Sequence, residues 1–303
     1  ASPELYTALG MTGADVVQSE MGFTGAGIKV AVMDTGVDYD HPDLGGCFGP
    51  GCRVEMGWDF VGDDFNADPA SPSYNPVPVP DDDPDDCNGH GTHVAGIVGA
   101  DGEVVGVAPG VTFGAYRVFG CEGSTTADIM LAAMEMALAD GMDILNMSIG
   151  SAFQWPQYPT AQAATRLVRR GMVVVASIGN SGASGIYSAG APGLGDQVIG
   201  VASFDNSHVN VLTFNANPGG QQIGYMPLST TAEAPTSGTS PEVVYVGQGC
   251  NADTHLASPA GKVALIVRGA CTFNEKYQKA VDAGAVGVIV HNNAAGIFAG
   301  GGV

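Results

Sequence analysis

The sequence predicts an α/β protein whose main part is a parallel sheet flanked by helices. Three observations support this prediction. Short apolar runs have the length of buried strands, helical patterns stand between them, and glycines close the helices. Strands that alternate with helices are joined by right-handed crossovers, which makes the neighbouring strands parallel.

Four apolar runs and three helical patterns make up this alternation. The predicted strands are residues 29–33, 111–119, 143–149 and 172–178. The predicted helices are residues 90–99, a segment that Ser124 or Thr125 caps and that runs to about residue 140, and residues 160–170. Gly141 and Gly171 directly follow the last two helices, as expected at helix C-termini.

A second, smaller unit is expected from residue 211 to residue 303. The composition shifts to Gly, Pro, Ser and Thr over residues 205–240, and residues 262–268 and 286–290 are predicted strands. Between these strands, Thr272 and Glu275 have the spacing of a capping box at the start of a helix that ends at Gly284.

The composition argues against several classes of partner. The 303 residues include 10 basic and 31 acidic side chains, and the formal net charge is −21. Nucleic acids and anionic membranes bind cationic surfaces, so neither is expected as a partner. No apolar run approaches the roughly 20 residues of a membrane-spanning helix. Because the sequence begins Ala1-Ser2-Pro3, any targeting segment or pro-segment is expected to have been removed.

Six cysteines indicate a secreted protein with disulfide bonds, since none of them forms the CxxC pair of a zinc or redox site. Local spacing favours Cys47–Cys52, around a Gly-Pro-Gly turn, and Cys250–Cys271. Cys87–Cys121 would then remain as the third pair. Other pairings, and free buried thiols, are the alternatives.

Three polar residues are expected to meet at one edge of the predicted sheet. Asp34 follows the first strand, His90 opens a helix, and Asn180 follows the strand 172–178. Catalytic groups of open α/β sheets gather at the carboxyl ends of parallel strands. A carboxylate, an imidazole and a carboxamide at this edge would combine a proton-transfer pair with an oxyanion donor.

These residues lie in motifs that resemble those of the subtilisin-like serine proteases, the subtilases. Residues 34–38 (DTGVD) resemble the aspartate block, residues 90–96 (HGTHVAG) the histidine block, residues 146–150 the strand that pairs with substrate, and residues 179–180 the oxyanion site. The motifs occur in the family's order over roughly residues 10–205.

A further resemblance concerns the smaller unit. Residues 261–293 resemble a protease-associated (PA) domain of α+β/β type, which secreted subtilases of the minor extracellular protease (Vpr-like) type carry as an insertion. Residues 1–210 are accordingly expected to be the amino-terminal part of a subtilase catalytic domain, and residues 211–303 an incomplete PA domain.

The resemblance implies an extracellular serine endopeptidase that cleaves proteins or peptides through an acyl-enzyme. His90 would act as general base and then general acid, and Asp34 would orient and stabilise its imidazolium. Asn180 would donate to the oxyanion. The main chain at Ser148, Ile149 and Gly150, and at Gly123 and Ser124, would flank the substrate as added strands.

The nucleophilic serine of the family has no match in this sequence. Gly238-Thr239-Ser240 is followed by Pro241, which does not open the buried helix of the family's serine block, and it precedes the PA-like strands. Ser240 is therefore predicted to be an ordinary loop residue. The nucleophile is expected on a carboxyl-terminal companion chain, which would leave this chain inactive alone.

No cofactor is required for this chemistry, but a structural calcium ion is considered. Asp43 matches a calcium ligand of the family, whereas the segment between His90 and residues 107–109 is shorter than the usual calcium loop. The acidic run 81–86 offers oxygen ligands, although a solvated loop is the preferred interpretation. His93 is expected to pack or hydrogen-bond, because HGTH lacks the spacing of a zinc-binding HExxH motif.

Two other functions are weighed against the protease. The PA-like region could make the chain a non-catalytic module that binds proteins or peptides. Gly22, Gly25 and Gly27 resemble a dinucleotide-binding fingerprint, but they precede a strand instead of following one. A serine endopeptidase is therefore the leading interpretation.

Overall fold

The computed structural model describes residues 3–204, 206, 211–227 and 241–294. The chain divides into two compact units, residues 1–209 and residues 210–303. Among the described residues, no helix is both long and apolar enough to cross a membrane. The candidate catalytic residues all belong to the larger unit.

The larger unit is built on a parallel sheet, as predicted. The sheet has six strands. Its strands are β1 (Lys29–Asp34), β2 (Val54–Asp59), β3 (Thr112–Arg117), β4 (Ile144–Met147), β5 (Val173–Ser177) and β6 (Ile199–Val201). The order is β2-β3-β1-β4-β5-β6, and every neighbouring pair is parallel. The first strand thus lies inside the sheet, with β3 on one side and β4 on the other.

The helices of the larger unit are α1 (Pro3–Thr12), α2 (Ala14–Ser19), α3 (His90–Gly99), α4 (Ala127–Ala139) and α5 (Pro159–Arg169). α3 packs on one face of the sheet, and α4 and α5 pack on the other. The start of α4 was predicted wrongly, because its N-cap is Thr126 instead of Ser124 or Thr125. Ser124 is held elsewhere, since its N–H donates to the Asn66 side chain and its carbonyl accepts from Ala67 N.

The core lies on the two faces of β1. Ala31 and Met33 belong to a cluster that includes residues of α4 and α5, whereas Val30 and Val32 belong to a second cluster that includes residues of α3. A strand buried on both faces is typical of a parallel sheet and explains its continuous apolar run. This packing fixes the end of β1, where Asp34 stands, against the start of α3, where His90 stands.

The three disulfide bonds match the preferred pairing, in which local spacing favoured two pairs and Cys87–Cys121 remained as the third. They are Cys47–Cys52, Cys87–Cys121 and Cys250–Cys271. The second joins residues 34 positions apart in sequence and ties the segment before α3 to the loop after β3. It therefore fastens two segments that border the candidate site.

The smaller unit contains a parallel sheet and a hairpin. The parallel strands are β9 (Val243–Gly247), β10 (Val263–Val267) and β11 (Gly287–His291), in the order β11-β10-β9, and α6 (Phe273–Asp282) connects the last two. β7 (Leu212–Ala216) and β8 (Gln221–Tyr225) pair antiparallel. Thr272 caps α6 as predicted, but Glu275 accepts from Asn251 N and leaves the second half of the capping box unmade.

Candidate active site

The Asp34 carboxylate and the His90 imidazole are in direct contact. Asp34 is the last residue of β1 and is fully buried, and His90 is the first residue of α3. The distance between Asp34 Oδ1 and His90 Nδ1 is 2.6 Å. The same carboxylate oxygen accepts a hydrogen bond of 2.8 Å from Thr35 N.

A glycine allows α3 to approach the end of β1 this closely. A Cβ atom at Gly91 would lie 2.1 Å from Gly36 O and 3.0 Å from Asp34 Cβ. Any side chain at this position would therefore push His90 away from the carboxylate. The residue before the helix, Gly89, has a φ of 95°, which favours glycine as well.

The electrostatics of the pair are those of a buried carboxylate facing a half-exposed imidazole. Burial raises the pKa of the Asp34 carboxyl, while the hydrogen bond and charge of His90 and the Thr35 N–H act in the opposite direction. The His90 side chain is 51% exposed. Because Nδ1 faces Asp34, Nε2 is the nitrogen that remains to accept a proton from a nucleophile.

The register of the sheet places Asn180 at the same edge. Val32, Asn146 and Val175 lie side by side on β1, β4 and β5, so Asp34 ends level with Ser177. Neighbouring strands are about 4.8 Å apart, which puts β5 about 10 Å from β1. Asn180 lies three residues beyond Ser177 and is exposed.

Two main-chain segments lie on either side of the end of β1. Residues 123–124 follow β3 and residues 148–150 follow β4, and β1 lies between these strands. Both main-chain groups of Ser124 are used inside the protein, by Asn66 Oδ1 at 3.2 Å and by Ala67 N at 3.0 Å.

The second segment is closed at its far end. Ser151 exchanges two main-chain hydrogen bonds with Ala191, of 2.9 and 3.1 Å. Just before it, Ile149 O lies 3.4 Å from Ser177 Oγ. The stretch Ser148–Gly150 thus leads from the Asp34 level into a fixed β-bridge, which gives this side of the cleft a defined main-chain path.

A polar network beside the pair was not singled out by the sequence analysis. Asp86, which was treated only as part of an acidic run, lies between Thr35 and the first turn of α3 and hydrogen-bonds to both. The available signal was the spacing, since an aspartate four residues before His90 can accept hydrogen bonds from Thr92, two residues after His90, in the first turn of α3.

The two candidate calcium ligand sets, Asp43 and the acidic run 81–86, have different surroundings in the structure. Asp43 is buried, and its carboxylate accepts hydrogen bonds from Glu103 N at 3.2 Å and Val104 N at 2.9 Å. The Val104 bond, with that of Glu103, lowers the pKa of the Asp43 carboxyl. These two hydrogen bonds join Asp43 directly to the loop that follows α3.

The acidic run borders a cleft of about 410 Å³. Its carboxylate lining comprises Asp59, Asp63, Asp64, Asp81, Asp83 and Asp85. The buried Arg117 pairs with Asp59 at 3.2 Å and with Asp63 at 2.8 Å. Arg117 thus neutralises part of this acidic lining, and among the described residues no three of its carboxylates lie within metal-ligand spacing of one another.

No thiolate-based metal site arises among the described residues. The two clusters with metal-ligand spacing there are Asp63–Cys87–Cys121 and Cys250–Cys271–Glu275, and the cysteines of both are joined in disulfides. His93 is exposed and, with His41 and Asp43, lines a separate cleft of about 190 Å³.

Ser240, the residue weighed as a nucleophile, lies outside the described residues. Within residues 3–204, 206, 211–227 and 241–294, no serine hydroxyl hydrogen-bonds to His90. The described part of the chain therefore shows the Asp34–His90 pair but no serine hydroxyl in contact with it.

A buried aspartate paired with a histidine at the carboxyl edge of a parallel sheet is the arrangement expected of a serine protease of this fold. The sequence model of the subtilase family matches residues 25–293, and the chain belongs to this family.

Among its relatives, the minor extracellular protease Vpr of Bacillus subtilis (strain 168) is 37% identical over 281 residues, covering 91% of this chain. Subtilisin DY of Bacillus licheniformis is 36% identical over 262 residues, covering 84% of this chain and 81% of the relative. Subtilisin Savinase of Lederbergia lenta is 38% identical over 192 residues, covering 60% of this chain and 61% of the relative. The chain spans about a third of the length of Vpr, since the match covers 33% of that protein.

Proposed function

We propose that this chain is the amino-terminal portion of a secreted subtilisin-like serine endopeptidase, with Asp34 and His90 as two members of its catalytic triad. The contact of 2.6 Å between the buried carboxylate and Nδ1 of a half-exposed imidazole carries the proposal. The names of the relatives, which are proteases and subtilisins, support the same reaction class.

In the proposed reaction, His90 Nε2 takes the proton of a serine hydroxyl as its oxygen attacks the carbonyl carbon of a peptide bond. Asp34 stabilises the imidazolium, and Asn180 donates to the oxygen that becomes negative. His90 then gives its proton to the leaving amine, and water hydrolyses the acyl-enzyme by the same proton transfers in reverse. The substrate would run as an added strand between residues 123–125 and 148–150.

The outer edge of β6 supports a further element of the proposal. All three residues of β6 are exposed, including Ile199 at 53% and Val201 at 45%, and β6 has no outer neighbour among the described strands. Strands of parallel sheets are normally covered on both faces. We therefore propose that the serine-bearing companion segment packs against the exposed side chains of β6.

The smaller unit is proposed to be part of a PA domain, which would contribute a surface for protein or peptide binding. The three disulfide bonds support an extracellular location, since such bonds persist in oxidising compartments.

Labelling with a fluorophosphonate, followed by denaturing mass spectrometry, tests the proposal. The label reacts with activated serines, and we expect it on a companion polypeptide and not on any serine of these 303 residues. A label on Ser240 that Ser240→Ala abolishes would contradict the assignment of the nucleophile. An unlabelled preparation that binds peptides without cleaving them would instead favour the non-catalytic module.

A further inference from the structure

We propose that Asp86 is the positioning residue that holds Asp34 and His90 in the geometry for proton transfer, by joining the turn after β1 to the first turn of α3. The proposal rests on the proposed function, because positioning matters only if this pair transfers protons. Asp86 touches neither a substrate nor the reacting atoms, so it would act through its neighbours.

The Asp86 carboxylate accepts five hydrogen bonds. Oδ1 accepts from Thr35 Oγ1 at 3.0 Å and from the main-chain N–H groups of Asn88 and Gly89, both at 2.9 Å. Oδ2 accepts from Thr92 N at 2.9 Å and from Thr92 Oγ1 at 2.6 Å. The carboxylate thus binds residues on both sides of His90.

Thr35 connects this carboxylate to the catalytic pair. Its N–H donates to Asp34 Oδ1 at 2.8 Å, and its Oγ1 donates to Asp86 while accepting from Gly91 N at 2.9 Å. The same threonine therefore contacts the triad carboxylate, the Asp86 carboxylate and the residue after His90. A shift of Asp86 would therefore move the Asp34 carboxylate relative to the His90 imidazole.

The carboxylate is well matched to its place. The first N–H groups of a helix have no partner within the helix, and the helix N-terminus favours a negative charge. Burial alone would raise the pKa of the Asp86 carboxyl, but the hydrogen bonds of Thr92, Gly89 and Asn88 outweigh it and lower the pKa below its usual range. The Asp86 carboxyl therefore carries its negative charge at neutral pH.

The simpler alternative is that Asp86 only caps α3 and stabilises the fold. A cap would change the temperature of unfolding but not the rate constant of a folded enzyme. A positioning residue must also change the Asp34–His90 hydrogen bond. The two roles are therefore separable in one set of variants.

The first measurement is the low-field proton resonance of the hydrogen bond between Asp34 and His90, recorded by NMR on the 303-residue chain, which needs no serine. We expect Asp86→Asn to lose or broaden this resonance, since an amide nitrogen cannot accept from Thr92. Asp82→Asn removes the same charge from an exposed position in the same run and should leave the resonance unchanged.

The second measurement is peptide hydrolysis by the active preparation that includes the companion segment. Misplacement of reacting groups by about 1 Å can cost about 100-fold in rate. We expect Asp86→Asn to lower kcat by about 10- to 100-fold with KM nearly unchanged, and Asp82→Asn to keep the wild-type kcat. Thermal unfolding shows that each variant is folded at the assay temperature.

A second pair of variants decides the case if Asp86→Asn does not fold. Thr35→Val removes the link between Asp86 and the pair, whereas Thr35→Ser retains the hydroxyl. We expect the first to lose the resonance and kcat and the second to keep both. An unchanged resonance and kcat in a folded Asp86→Asn or Thr35→Val variant would overturn the proposal. If the wild-type preparation hydrolyses no peptide, the proposed function fails, and the resonance still decides whether Asp86 positions the pair.

Discussion

The two sides of the candidate site differ in how completely this chain builds them. On the β1 side, Asp34 and His90 are in contact, and their neighbours are hydrogen-bonded to one another. On the β5 side, Asn180 is exposed, and β6 next to it presents its outer edge. The comparison shows that the Asp34–His90 contact is made and supported within this chain, whereas Asn180 stands exposed at a part of the sheet whose outer strand has no neighbour among the described strands.

Removal of His90 should have the largest effect. We expect His90→Ala to lower kcat of the active preparation by about 10⁶-fold, which is the scale known for loss of the triad histidine in subtilisin itself. His93→Ala is the matched control, because His93 is exposed one helical turn further along α3. Peptide hydrolysis measures both, and equal activities of the two variants would contradict the triad assignment.

Removal of the Asn180 carboxamide should have the next largest effect. Asn180→Ala is expected to lower kcat by about 10²- to 10³-fold with little change in KM, the range known for an oxyanion donor of subtilisin itself. Its loss should leave the Asp34–His90 resonance intact, because the two groups lie about two strand spacings apart. A loss of that resonance would show that the two sides of the site are not independent.

The segment 123–125 should contribute a smaller, binding-related effect. Asn66 is buried, and its Oδ1 holds Ser124 N, so Asn66→Ala should loosen this wall of the cleft. Asn66 makes three side-chain hydrogen bonds among the described residues, with Ser73 Oγ, Asp68 N and Ser124 N. The last bond is worth about 0.5–1.5 kcal/mol to the position of Ser124, so we expect KM for an extended peptide to rise about 2- to 10-fold. The control is Asn75→Ala in the same loop, whose side chain binds only Asp64 O. Equal KM values for the two variants would remove Asn66 from the account.

The smallest effect concerns Asp43, which takes no part in the proposed reaction. Its folded-state pKa is lowered, so the carboxylate stabilises the fold above its unfolded pKa, and this stabilisation is lost as the pH falls through the folded value. Thermal unfolding should show that Asp43→Asn lowers the melting temperature at neutral pH and that the difference disappears in acid. A calcium chelator should not reproduce the loss, whereas a matching loss on chelation would place a cation at Asp43.

The elements that depend on neighbouring residues in the sequence were predicted correctly. The buried strand before Asp34, the HGT start of α3 and the cysteine pairs could all be recognised from neighbouring residues. The strands β2 and β6 were not predicted. β2 mixes polar and apolar residues, and β6 has only three residues.

Contacts between distant segments account for the remaining differences. The hydrogen bond from Ser124 to Asn66, 58 positions away, could not be known from spacing, so Ser124 was taken as a candidate helix cap, whereas the N-cap is Thr126. Asp86 was hidden within an acidic run, since its role follows from the distance to Thr35, 51 positions away. Spacing in the sequence identifies the reacting residues, but not the residues that hold them.

The central claim is that this chain supplies the acid–base pair while the nucleophile comes from a companion segment. Peptide hydrolysis by the 303-residue chain, measured before and after the companion polypeptide is added, tests it most directly. The account predicts no hydrolysis by the chain alone and hydrolysis by the mixture that His90→Ala abolishes. Hydrolysis by the chain alone, lost in His90→Ala, would contradict the account and place the nucleophile within these residues.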